Sequence, residues 1–129
     1  MSLLNKENLE ECIFSVIGYS GMAKYYASEA IKSAKNGDFK EADEHLKKSD
    51  DEFSKAQDAE AALAKIGDKK SKECGELILI HSQDHFMGTM TYRELAKEMV
   101  DMCRKYSDME KNLVERIEKL EKEKWQLCK

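Results

Sequence analysis

Proline is absent from this chain. No residue therefore locks a backbone angle or removes a helical N–H, and long helices are free to form. A basic excess is absent too: 22 Lys and Arg stand against 26 Asp and Glu, a formal charge of −4. That balance argues against a nucleic-acid binder, which needs concentrated positive charge. The four cysteines, Cys12, Cys74, Cys103 and Cys128, form no C-x-x-C pair, which argues against zinc-ribbon and thioredoxin-like motifs. No apolar run reaches the ~18 residues a membrane span needs. No N-terminal stretch joins a basic start, an apolar segment and a small-residue cleavage site. The expectation is a reduced, cytoplasmic protein with no direct membrane insertion. Its 129 residues suit one domain with a modest core.

What the chain does have is charge, at 37% of residues, laid over a helical period. Leu9, Ile13, Val16, Ser20, Ala23, Ala27, Ala30 and Ala34 recur at spacings of three and four, the mark of one helical face. A first helix is expected from a cap at Asn5 to about Lys35, closed by Asn36-Gly37. Asp38 caps a second helix, with Glu41 at the reciprocal capping-box position. Its stripe is Phe39, Ala42, Leu46, Ser49, Phe53, Ala56, Glu60 and Leu63. The Glu60 head is expected to reach water, and His45 to face solvent. Residues 67–71 read as the next loop.

A third helix is expected to start between Ser71 and Glu76. Its inward stripe reads as His81, His85, Gly88, Tyr92, Leu95, Met99, Met102, Tyr106, Met109 and Leu113, resuming as Ile117, Leu120, Lys124 and Leu127. The four-residue step at 113–117 is a coiled-coil stutter. An unbroken helix of ~50 residues would be about 75 Å long, too long for a compact bundle of this size. Residues 1–107 are therefore read as the domain and 108–129 as a projecting, coiled-coil-like tail.

The chemistry concentrates in His81-Ser82-Gln83-Asp84-His85. His81 and His85 lie one helical turn apart on one face, with Asp84 beside them. Three readings compete on the residues alone. The cluster can bind a metal, since imidazole and carboxylate suit zinc or similar ions. It can carry a phosphoryl group, since a neutral imidazole nitrogen is a competent nucleophile near pH 7. Ser82, Gln83 or His85 would then donate hydrogen bonds to the phosphoryl oxygens. It can also be structural, two core histidines bonded to Asp84 to fix register.

Leu77-Ile78-Leu79-Ile80-His81-Ser82-Gln83-Asp84-His85-Phe86-Met87 resembles the signature Leu-Leu-x-x-His-Ala-Gln-Asp-His-Leu-Met. That signature belongs to the enzyme IIA components of the lactose/cellobiose (diacetylchitobiose) branch of the phosphoenolpyruvate-dependent sugar phosphotransferase system. Gly21-Met22-Ala23-Lys24, Glu29-Ala30 and Ala34-Lys35-Asn36-Gly37-Asp38-Phe39 with Ala42 are similar to further family elements in the same order. The resemblance implies an all-α antiparallel three-helix bundle that assembles as a homotrimer. It implies a phosphotransferase component working through a phosphohistidine: His81 takes phosphate from the phosphocarrier protein HPr and passes it to a cysteine of enzyme IIB. The process served would be uptake of a lactose-, cellobiose- or chitobiose-type sugar. Gln83 and His85 would line the phosphate pocket. Asp84 would meet its copies on the trimer axis, where a divalent cation such as Mg2+ can sit. No organic cofactor is implied. One departure stands out. The family commonly carries Ala-His-x-x-Gln in its second helix, where this chain has Ala56-Gln57-Asp58-Ala59-Glu60. A catalytically inactive helical trimer, serving as an interaction or regulatory protein, is the competing reading.

Overall fold

The computed structural model contains three helices and no strand among the described residues: α1 (Ser2–Lys35), α2 (Phe39–Cys74) and α3 (Glu76–Leu127). The backbone is described over residues 2–74 and 76–128, and side chains over 9–65 and 77–128. Every pair of helices is in contact, and successive helices run antiparallel. No helix of the described residues is long and apolar enough to cross a membrane.

The α1–α2 junction follows from its residues. Gly37 takes φ 82°, a left-handed conformation that costs glycine little. Its N–H donates to the Ala34 carbonyl at 3.1 Å, and the Asp38 N–H reaches back to the Ser33 carbonyl at 2.9 Å. These two bonds are a Schellman closure of α1. Asp38 then caps α2, its Oδ1 accepting from the Glu41 N–H at 3.1 Å. Glu41 does not complete a reciprocal box. Its carboxylate lies 3.4 Å from His45 Nε2 one turn on. His45 is half-buried and stacks on Tyr26 with ring centroids 6.3 Å apart, so the expected solvent-facing histidine is instead packed on α1.

The expected stripes of α1 and α2 are the ones buried. Leu9, Ile13, Val16 and Ala23 of α1 join Phe53, Ala56 and Leu63 of α2 and Phe86 of α3 in one core cluster. A second cluster nearer the α1–α2 turn holds Ala30, Ala34, Ala42 and Val100. Alanines there let the backbones approach closely, while Ile, Leu and Phe fill the wider end. Between the clusters runs a polar clamp. Ser49 Oγ donates to the Ala23 carbonyl at 2.7 Å, and Arg93 Nε donates to Ser49 Oγ at 3.2 Å. The Arg93 guanidinium also pairs with Asp50 and lies 4.2 Å from the Phe53 ring centroid. A buried cation is tolerated here because it is paired and stacked.

Two boundaries differ from expectation, and a third falls within it. α1 begins at Ser2, and the Asn5 cap lies outside the residues whose side chains are described. α2 continues to Cys74, so the loop expected at residues 67–71 falls within the helix and outside the described side chains. α3 starts at Glu76, the late end of the expected range.

The larger correction concerns the face of α3. The stripe containing His81, His85, Leu95, Met99, Met102 and Tyr106 does not point into the chain's own core. All six are exposed. The buried line is Ser82, Phe86, Thr89, Arg93, Ala96 and Val100, each one residue further on. A one-residue offset is a rotation of about 100° on a helix. Both lines repeat every three or four residues, and the more apolar one is the one this chain leaves uncovered.

Candidate functional site

The site occupies the first turns of α3. Phe86 anchors that segment, stacking on Phe53 with centroids 5.1 Å apart and planes 13° from parallel. Ser82 is buried and donates from Oγ to the Leu79 carbonyl at 2.8 Å. One turn further, Thr89 Oγ1 donates to the Ser20 carbonyl at 3.3 Å, and Tyr92 shares a 2.7 Å hydrogen bond with Ser28 Oγ. These contacts fix the rotation of α3 about its axis, which decides where the histidines stand.

They stand outside. His81, Gln83, Asp84 and His85 are all exposed. The two imidazoles pack edge to face, with centroids 4.6 Å apart and planes at 84°. Anything bound to one ring is therefore within reach of the other. The arrangement removes the structural reading of two core histidines. It also moves Ser82 out of contact with an outside ligand, since its hydroxyl is committed to the helix backbone.

No group of three His, Cys, Asp or Glu side chains suited to an ion occurs among the described residues. Asp84 offers one exposed carboxylate at the end of the exposed apolar line.

The departures in α2 separate in the structure. Gln57 is exposed, whereas Glu60 is half-buried, and its Oε2 has no hydrogen-bond partner among the described residues. The expected water-reaching head is thus partly withdrawn from water. Burial raises the Glu60 pKa above its ordinary 4.5, because the low-dielectric surroundings disfavour the ion. A raised folded-state pKa means that folding favours the protonated form. The contribution of Glu60 to stability is then fully present below pH 4.5 and is lost as pH rises through the raised value. Glu60→Gln is expected to raise the melting temperature at pH 7, with the difference closing on acidification. Thermal melts of both proteins across this range check it; a gap independent of pH would contradict it.

Residues that the sequence reading missed are those of the buried α3 line, above all Arg93 and Thr89. Phe86, Ala96 and Val100, which share that line at helical spacing, carried the available signal.

The fold and site together define an all-α bundle whose long third helix displays an imidazole pair at the end of an uncovered apolar line. The chain belongs to the family described as "PTS system, Lactose/Cellobiose specific IIA subunit", which matches residues 11–104. It is 33% identical over 102 residues to the lichenan-specific phosphotransferase enzyme IIA component of Bacillus subtilis, covering 79% of this chain and 93% of that protein. It is 34% identical over 99 residues to the N,N'-diacetylchitobiose-specific EIIA component of Escherichia coli, covering 77% and 85%. Among solved structures, the cellobiose-specific enzyme IIA of Bacillus anthracis superposes with a TM-score of 0.66 at 34% identity, covering 78% and 92%. The E. coli IIA(chitobiose)–HPr complex gives a TM-score of 0.67 at 32% identity, covering 77% and 96%.

Proposed function

We propose that this chain is a phosphoryl carrier that accepts phosphate on His81 from HPr and delivers it to a cysteine of an enzyme IIB. The observation that carries the reading is the exposure of the His81–His85 pair on a face held in place by buried contacts. A carrier must admit two protein partners in turn, which an exposed imidazole allows and a core imidazole would not. The relative solved together with HPr supports HPr as the donor.

The chemistry is balanced and simple. An unprotonated His81 nitrogen attacks phosphorus on the donor; a P–N bond forms as the donor's bond to phosphorus breaks, and no water takes part. In the second step a IIB thiolate attacks, and the His81 imidazole leaves. Such transfer depends mainly on positioning and on stabilising the charge of the phosphoryl oxygens. Gln83 and His85 are the groups placed to donate to those oxygens.

The uncovered line of α3 supports homotrimer formation. Exposed Leu95, Met99 and Met102 are too apolar to favour solvent on a continuous face. A threefold arrangement along this line would gather the Asp84 carboxylates. Like charges so gathered repel, so they require a cation such as Mg2+ or partial protonation. The sugar served would be of the cellobiose, lactose or chitobiose type.

Onward transfer tests the reading. Adding cognate IIB to the phosphorylated chain should discharge it within the mixing time of a bench assay, while IIB lacking its acceptor cysteine should leave the label in place. Retention of label with intact IIB would contradict onward transfer, whereas a chain that takes no label from HPr would favour the inactive-trimer reading.

A further inference from the structure

The family match ends at residue 104, yet α3 continues without a break to Leu127. Over residues 108–127 every residue is exposed, so no other part of the described chain covers this segment. We propose that residues 105–127 form a parallel, in-register coiled coil with the same segment of other copies of this chain. The coil would be a clamp that lies outside the family match. This inference rests on the reading that copies meet along the uncovered line of α3.

Continuity is the first argument. Taking Leu95 as position d of a heptad, the exposed line runs a–d without interruption through Met99, Met102, Tyr106, Met109 and Leu113. It resumes after one stutter as Ile117, Leu120, Lys124 and Leu127. Met109, Leu113, Ile117 and Leu120 are 53–64% exposed. The domain's uncovered face and the tail's face are thus one seam on one helix. Cyclic assembly along the upper part sets the α3 helices parallel, and the lower part must follow.

Charge is the second argument, and it selects the same direction. In a parallel in-register coil, each g residue faces the e residue five positions later on its neighbour, and these pairs set orientation. Lys105 at g faces Glu110 at e, and Arg116 at g faces Glu121 at e. Both pairs are opposite in sign. Lys124, the one charged a position, disfavours shifted registers because a shift would bury it among apolar neighbours.

The test measures self-association of the full chain by sedimentation equilibrium. Lys105→Glu with Arg116→Glu should weaken association by roughly tenfold or more at low salt. Adding Glu110→Lys with Glu121→Lys should restore it. Leu113→Asp with Ile117→Asp should weaken association by roughly a hundredfold or more, with helical circular dichroism of the bundle retained. Loss without rescue would overturn the parallel register. An unchanged constant in the Leu113/Ile117 variant would overturn the clamp. If Leu95→Asp with Met99→Asp weakens association while Leu113→Asp with Ile117→Asp does not, the domain seam stands and the tail proposal falls. The reverse pattern would leave the tail standing and remove the domain seam.

Discussion

His81→Ala is expected to lose phosphoryl acceptance from HPr by more than ~10³-fold, because it removes the atom that forms the covalent bond. His85→Ala should still be labelled, more slowly by on the order of 10²-fold, as for the loss of one donor to developing charge. The asymmetry matters more than either number. The two rings touch edge to face at 4.6 Å and are both exposed, so exposure alone does not separate acceptor from neighbour. The order of residues in the signature does, by resemblance. Labelling with radioactive phosphoenolpyruvate in the presence of enzyme I and HPr measures both variants at once. Normal labelling of His81→Ala, with none of His85→Ala, would exchange their roles. Both variants should fold normally, since neither imidazole contributes to a buried cluster.

The second large effect concerns assembly. The double variant Leu95→Asp with Met99→Asp is expected to destabilise the proposed homotrimer by roughly 4.5 kcal/mol or more, from six side chains already about half covered that gain on the order of 0.75 kcal/mol each on burial. The single-chain bundle should survive, because Leu95 and Met99 are 59% and 44% exposed in it. Light scattering should show a trimer for the unaltered protein at micromolar concentration and smaller species for the variant, with helical signal unchanged. An unaltered protein that is monomeric would assign the apolar line to a different partner. In the same assay, Asp84→Asn should abolish any dependence of the trimer on Mg2+, since it removes the like charges that need a cation.

Much of this architecture is legible in the sequence. The α1 stripe from Leu9 to Ala34 and most of the α2 stripe from Phe39 to Leu63 are buried as the period of three and four predicts. Gly37 and Asp38 form the turn for conformational reasons that hold without tertiary context. The long α3 is readable from the absence of proline and from heptads interrupted by a single stutter. What the period did not reveal is which side of α3 faces inward. A single-chain core and a seam between chains obey the same spacing. Here the inward line is Ser82, Thr89, Arg93 and Ala96 around Phe86 and Val100, so it looks polar until Arg93 meets Asp50 and Phe53. The uncovered face, richer in Leu, Met and Tyr, looks like the core. Hydrophobicity ranked the two faces in the wrong order because the inner face is satisfied by pairing rather than by apolar bulk. The same error placed the histidines in a core pocket. Their true position, outside and beside Asp84, suits a carrier better than the one expected.

Glu60 shows a second limit. On a helical wheel it continues the inward stripe, and a long side chain near a helix end can often reach solvent. The Oε2 atom does not, so the cost of its ionisation is a property of packing that spacing cannot convey.

One particular nitrogen-bearing side chain, His81, is expected to carry the phosphoryl group. The most direct measurement is to phosphorylate the full chain with phosphoenolpyruvate, enzyme I and HPr, digest it at alkaline pH to preserve the phosphoramidate, and locate the group by mass spectrometry. A single phosphoryl group is expected, on His81. Modification of His85 or His45 instead, or an unmodified chain under conditions that charge HPr, would contradict it.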